Sequence, residues 1–328
     1  MRLIQSLAIF FCLMFITGPL TSQEKAAVIF DTDMGPDYDD VGAITLLHAL
    51  ADSNHAKILA TVASTRYNGV APVLSVFNTY FNRPDIPVGV TGKDGLDIRD
   101  GQHWSDSIIK NYPHGLQSNG NASDATELYR RILSEQPDNS VTIVTVGFLT
   151  NLAALLKSSP DKFSRLNGSD LVKKKVKLLV SMAGTFPSGR EFNIHRDVIS
   201  ARYVFENWPI PVIFSGFEIG QKIKTGLPLI NNNNIGNSPV KDVFRISVPL
   251  AKNDSAGRMS WDQTAVLVAI KGYPPYYSLQ WGTISINDDG SNKWTNSGKK
   301  QAYLVAEADP LIVENYINKL MQHQPVKN

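Results

Sequence analysis

The chain has 328 residues, 43% of them apolar and 19% charged, which is enough for a large core in one or two domains. Formal net charge is +2 with no basic block, which excludes the electrostatic footprint of a nucleic-acid binder. The sole cysteine, Cys12, leaves no pair for a disulfide, so burial and any bound ion must hold the fold.

Taken in chain order, the first element is a processing signal. Arg2 precedes the apolar run Leu7–Ile16 and then Gly18-Pro19-Leu20-Thr21-Ser22-Gln23, the layout of a secretory signal peptide. Residues 1–23 are therefore predicted to be removed near Ser22 or Gln23, leaving 24–328 as one domain, secreted or periplasmic. The run is short for a membrane span, and Cys12 lacks small residues just before it, so no stable membrane anchor is expected.

Strand-like and helical patterns then alternate. Ala26–Phe30 reads as a strand and Val41–Ala51 as a helix, with Asp39 or Asp40 as its N-cap. Ile58–Ala63 is a strand, Ala71–Phe81 a helix and Pro87–Val90 a short strand. Residues 92–122 read as a long irregular loop. Helix Ala125–Ser134, strand Val141–Val146 and helix Leu149–Ser158 follow, then strand Val176–Met182, helix Val198–Asn207 and strand Pro211–Ser215. Beyond residue 226 the pattern loosens, returning as helix Asp262–Lys271, a hairpin around Asp288-Asp289-Gly290 and helix Pro310–Met321 capped by Asp309. This alternation predicts an α/β fold, with a mostly parallel central sheet and helices on both faces.

The most informative stretch follows the first strand. Asp31, Asp33, Asp37, Asp39 and Asp40 place five carboxylates within ten positions, where a strand ends and a helix begins. Carboxylates so close repel one another unless a cation sits among them, and open α/β sheets bind ligands at such strand ends.

Four segments in order resemble the inosine–uridine nucleoside hydrolase family across roughly residues 26–325. They are Asp31-Thr32-Asp33-Met34-Gly35 with Asp39-Asp40; Val144–Ala153; Met182-Ala183-Gly184 with Glu191-Phe192-Asn193-Ile194 and Asp197; and Trp261-Asp262-Gln263-Thr264-Ala265. The resemblance implies a Rossmann-like nucleoside hydrolase fold and Ca2+-dependent hydrolysis of the N-glycosidic bond of a ribonucleoside or related ribosyl substrate. It implies metal ligation by Asp33, Asp40 and Asp262 and by the backbone carbonyl of Val146. Asp33 would also be the general base taking a proton from metal-bound water. Asp39, Glu191 and Asn193 would hold the ribose, with Met182 against its ring, and a homo-oligomer would be in keeping with the family. Asn68 is a further candidate for the ribose and equally an ordinary loop asparagine, and Asp262 by itself is equally a helix N-cap. Asp31 reads better as a brace for the loop than as a ligand.

Three features depart from the family pattern. Asp37 and Tyr38 are two extra residues before Asp39-Asp40, so Asp37 could replace a neighbour in the metal shell. Trp261 stands where many members have a histidine that serves the leaving base, and could instead stack on a nucleobase or simply pack in the core. The segment between Met182 and Glu191 is short and lacks a Gly-Asn pair. Two rival readings stay open at this stage. One is a haloacid-dehalogenase-like phosphatase with Asp31 as nucleophile. The other is a secreted calcium-dependent sugar- or nucleoside-binding protein without catalysis.

Overall fold

A computed structural model describes residues 25–325, so the signal segment predicted over 1–23 lies outside the described residues. The strands are β1 (Ala26–Thr32), β2 (Ala56–Ala63), β3 (Val88–Val90), β4 (Ser123–Asp124), β5 (Val141–Thr145), β6 (Val176–Met182), β7 (Ser188–Gly189), β8 (Val212–Ser215), β9 (Lys224–Thr225), β10 (Arg258–Met259), β11 (Tyr277–Ile286), β12 (Asn292–Thr295) and β13 (Gln301–Ala306). The helices are α1 (Asp39–Asp52), α2 (Val70–Tyr80), α3 (Trp104–Asn111), α4 (Ala125–Glu135), α5 (Thr150–Lys157), α6 (Gly168–Lys175), α7 (Phe192–Arg196), α8 (Val198–Asn207), α9 (Phe217–Gly220), α10 (Leu227–Asn231), α11 (Pro239–Leu250), α12 (Trp261–Lys271) and α13 (Pro310–Met321).

An 11-stranded sheet runs in the order β4-β3-β2-β1-β5-β6-β8-β13-β11-β12-β7. From β4 to β13 every pairing is parallel, and only the β13-β11-β12-β7 edge is antiparallel. Successive residues of β1 serve two cores. Val28 and Phe30 pack on one face with α1, α2 and α12, and Ile29 packs on the other with α4, α5 and α8. A strand buried on both faces reads as a continuous apolar run, which is why β1, β5 and β6 stand out in the sequence. Strand order reverses at the β1/β5 junction, because β2 follows on one side and β5 on the other. The carboxyl ends of these two strands therefore splay over a crevice.

The structure corrects several expectations. Tyr38 is the N-cap of α1 and makes no side-chain cap bond, so Asp39 and Asp40 are the first helical residues rather than the cap. Two acidic residues in a first turn favour the positive end of the helix dipole without capping it. Residues 92–122 are not one irregular loop, because α3 lies within them, burying Trp104 and Ile108 one helical turn apart. The loosened region after 226 holds α11, which starts at the cap Ser238 with Pro239 in its first turn. It also holds β13, which joins β8 to the antiparallel edge. The hairpin β11–β12 and the Asp309-capped α13 agree with expectation. No described helix is long and apolar enough to cross a membrane.

Candidate active site

The crevice at the strand reversal holds a cavity of about 240 Å³, lined by Asp33, Asp37, Asp39, Val146, Met182, Glu191, Phe192, Asn193, Phe217, Arg258, Trp261 and Asp262. Its floor depends on how closely the ends of β1 and β5 approach. Gly147 follows β5, and a Cβ there would lie 2.3 Å from the Asp33 amide nitrogen and 2.6 Å from Ser64 Oγ. Only glycine lets the two strand ends meet, which brings Asp33 and the Val146 carbonyl to one surface. The Ser64 hydroxyl also accepts from the Phe148 amide at 3.0 Å, tying β2 to the same junction.

Each wall is set by local bonding. Thr32 donates its hydroxyl to Asp40 and accepts from the Met34 amide at 3.0 Å, which folds the turn between β1 and α1. Glu191 caps α7, taking the amides of Asn193 at 2.6 Å, Ile194 at 3.2 Å and Gly184 at 3.1 Å. The Asn193 amide group donates to the carbonyls of Val146 at 3.1 Å and Met182 at 3.2 Å, clamping the ends of β5 and β6. Asp39 accepts from the Trp261 and Asp262 amides at 3.2 and 3.3 Å, so it caps α12 from a distant part of the chain. Its other oxygen takes Arg258 Nε at 3.0 Å and Nη2 at 2.7 Å. Arg258 Nη2 also pairs with Asp37 at 2.8 Å. Trp261 stacks on Phe217 with ring centroids 5.0 Å apart, and its indole N–H donates to the Phe217 carbonyl at 2.8 Å.

The electrostatics are those of an acid cluster short of positive charge. Burial, and then repulsion from Asp37, Asp39 and Glu191, pushes the Asp33 carboxyl well above its ordinary range. Burial followed by its acidic neighbours does the same to Asp40, facing Asp33 and Asp39, and to Asp262, facing Asp39 and Asp40. Asp39 is pushed by burial to about 7 despite the opposing pull of Arg258. One guanidinium thus offsets part of the charge and leaves the rest unbalanced.

These residues fit a hard divalent cation. Carboxylate oxygens of Asp37, Asp39 and Asp262 lie within 4.8 Å of one another. Asp40 Oδ2 is buried with no hydrogen-bond partner. The Val146 carbonyl adds a neutral oxygen at the cavity wall. An all-oxygen donor set is the chemistry of calcium or magnesium rather than of zinc.

Of the residues singled out from sequence, Asp33, Asp39, Val146, Met182, Glu191, Asn193, Trp261 and Asp262 line this one cavity. Asp40 lies just behind them, within reach of the charges of Asp33 and Asp39. Asn68 is exposed and does not line it. Asp31 faces the other core, where Tyr129 donates to it at 2.7 Å and Asn151 at 3.1 Å. Its oxygens are therefore committed away from the cavity, which removes the phosphatase reading that makes Asp31 the nucleophile. Sequence reasoning left Asp37 open and missed Arg258, Phe217 and Phe192 as cavity residues. Phe192 stood inside a motif already singled out. Arg258, three residues before Trp261, had no local signal separating it from a surface charge.

A sequence profile of the family described as "Inosine-uridine preferring nucleoside hydrolase" matches residues 28–308. A pyrimidine-specific ribonucleoside hydrolase, RihA, of Klebsiella pneumoniae subsp. pneumoniae is 33% identical over 201 residues, covering 57% of this chain and 59% of the relative. The chain thus spans about three fifths of the length of the curated relatives it matches. Among solved structures, a purine-preferring ribonucleoside hydrolase from Gardnerella vaginalis superposes with TM-score 0.70 at 16% identity, covering 90% of this chain and 99% of that one. An inosine–uridine preferring nucleoside hydrolase from Bacillus anthracis gives 0.67 at 15%, with the same coverage. At those identities the structures speak to the fold.

Proposed function

Because the chain belongs to the inosine–uridine preferring nucleoside hydrolase family, we propose that it hydrolyses the N-glycosidic bond of ribonucleosides to free base and ribose. The observation that carries this reading is the cavity itself. It gathers five carboxylates, those of Asp33, Asp37, Asp39, Asp262 and Glu191, in one cavity with the stacked pair Phe217–Trp261. Breaking a ribosyl C–N bond builds positive charge on the sugar, and fixed anionic oxygens stabilise that charge. Asp33 is the proposed general base, its carboxylate accepting the proton of the attacking water. Glu191 and Asn193 would orient the sugar hydroxyls beside Met182, and the aromatic pair offers a face for the base.

Calcium is the proposed ion, held by Asp33, Asp40, Asp262 and the Val146 carbonyl, with Asp37 as a further oxygen donor. When bound, such an ion offsets the carboxylate charge and lowers the pKa of water. Export to the periplasm or medium is proposed from the N-terminal segment, and the mature N-terminus sequenced from fractionated cells tests it. An intact Met1 in the cytoplasm would sink that location.

The deciding experiment is release of reducing sugar from a panel of purine and pyrimidine ribonucleosides, with calcium and after chelation. Turnover that needs calcium and disappears in Asp33→Asn is the expected result. Tight calcium and nucleoside binding with no turnover in the wild type would leave a binding protein instead.

A further inference from the structure

We propose that Arg258 stabilises the departing base, an inference that rests on the hydrolase reading above. When the C1′–N bond breaks, its electron pair stays on the base nitrogen and the water oxygen bonds C1′. One water proton passes to Asp33, which returns it to solvent, and the base takes one proton from solvent to leave neutral. Until that proton arrives, the base carries developing negative charge and needs a donor or a cation beside it.

The cavity offers few groups able to meet that need. Among the described residues every titratable group lining it other than Arg258 is a carboxylate, and no histidine or lysine lines it. The Trp261 indole N–H is committed to the Phe217 carbonyl. The Asn193 amide hydrogens are committed to Val146 and Met182. Among the described residues Arg258 is the one cation lining the cavity, and its Cζ lies 5.0 Å from the Trp261 ring centroid.

A guanidinium carries five N–H donors. In Arg258, Nε and Nη2 are turned to Asp39 and Asp37. Among the described residues Nη1 approaches Asp254 Oδ2 at 3.5 Å, too loosely for a full hydrogen bond, and that oxygen already accepts from the Tyr38 hydroxyl at 2.6 Å. Arg258 therefore meets the cavity chiefly as a positive charge, with Nη1 the least committed of its donors. The bonds to Asp39 and the stacking on Tyr38 and Trp261 fix the plane of the group and lower the reorganisation needed when charge develops. As a permanent cation Arg258 donates hydrogen bonds and positive charge and does not give up its proton.

The test compares two leaving groups. Arg258→Gln and Arg258→Lys are assayed on inosine and uridine and on p-nitrophenyl β-D-ribofuranoside, whose leaving group is already stable as an anion. Arg258→Gln should lower kcat on the nucleosides by about 100-fold, the scale of losing one preorganised donor. The p-nitrophenyl riboside also loses the charge that Arg258 sets against Asp37 and Asp39, so it should fall, but at least tenfold less than the nucleosides, and a melting curve run alongside reports that the variant is folded. Arg258→Lys keeps the charge and should recover part of the nucleoside turnover. Loss by the same factor on both substrate types in both variants would overturn the assignment and leave Arg258 a tether for Asp37 and Asp39. Unchanged nucleoside turnover would overturn it too. A wild type inactive on every ribosyl substrate would instead defeat the hydrolase reading.

Discussion

Gly147→Ala is the smallest change that should disable this site without replacing any group that does chemistry. A methyl built at Gly147 meets the Asp33 amide nitrogen at 2.3 Å, where contacts under 3.0 Å essentially never occur. The shortfall is about 0.7 Å, and it falls on backbone, so rotamer changes cannot absorb it. The ends of β1 and β5 must part by about that much, carrying Asp33 away from the Val146 carbonyl. Overpacking of this kind costs about 1–3 kcal/mol, which a domain of this size survives. A misplacement near 1 Å costs on the order of 100-fold in rate, so kcat should fall by about 30- to 100-fold. Nucleoside turnover and thermal melting are measured on Gly147→Ala beside Gly101→Ala, whose added methyl meets nothing within 4 Å. Wild-type kcat in Gly147→Ala would refute the claim that strand approach positions the base.

Other outcomes follow from the same structure. Tyr129→Phe removes a buried bond to Asp31 and should cost about 1.5–3 kcal/mol while leaving kcat intact; lost turnover at full stability would put Asp31 in the chemistry. Calcium should raise the melting temperature after chelation, by about 2.7 kcal/mol of stability at 100 times its Kd, and Asp262→Asn should blunt the shift. An equal shift in both proteins would place the ion elsewhere. His48 is buried, donates Nε2–H to Asn78 at 3.2 Å and sits beside Arg83; burial, then that charge, lowers its pKa from 6.5 to about 3. Its neutral form thus contributes stability that is complete above its unfolded pKa and drains as pH falls toward the folded one. About 2 kcal/mol should go between about pH 7.5 and 5. His48→Gln should lose that part of the slope in urea denaturation, and parallel slopes would contradict it.

Much of this molecule was legible locally. The runs of β1, β5 and β6 are apolar on both faces, and the caps Asp124, Asp197 and Asp309 act within three residues of themselves. Such signals depend on chain period and neighbouring amides, so they survive in a bare sequence. The acidic run and the Glu191–Asn193 segment were readable for the same reason, because each helps shape its own turn. Helices α3 and α11 were not seen, since tertiary burial of a few apolar positions, more than propensity, stabilises them. The state of the site lay beyond local rules. Asp39 meets Arg258 across 219 positions and the Asp262 amide across 223. Asp39 and Asp262 stand in readable motifs, but nothing near Arg258 distinguishes it from any solvated charge. The sequence by itself determined the apolar strands of the parallel sheet, the amphipathic helices between them and the loops that bear carboxylates. Tertiary structure alone decided which carboxylate faces a cation, which one braces the opposite core and which aromatic ring the cavity meets, because those depend on elements that approach only when the sheet is complete.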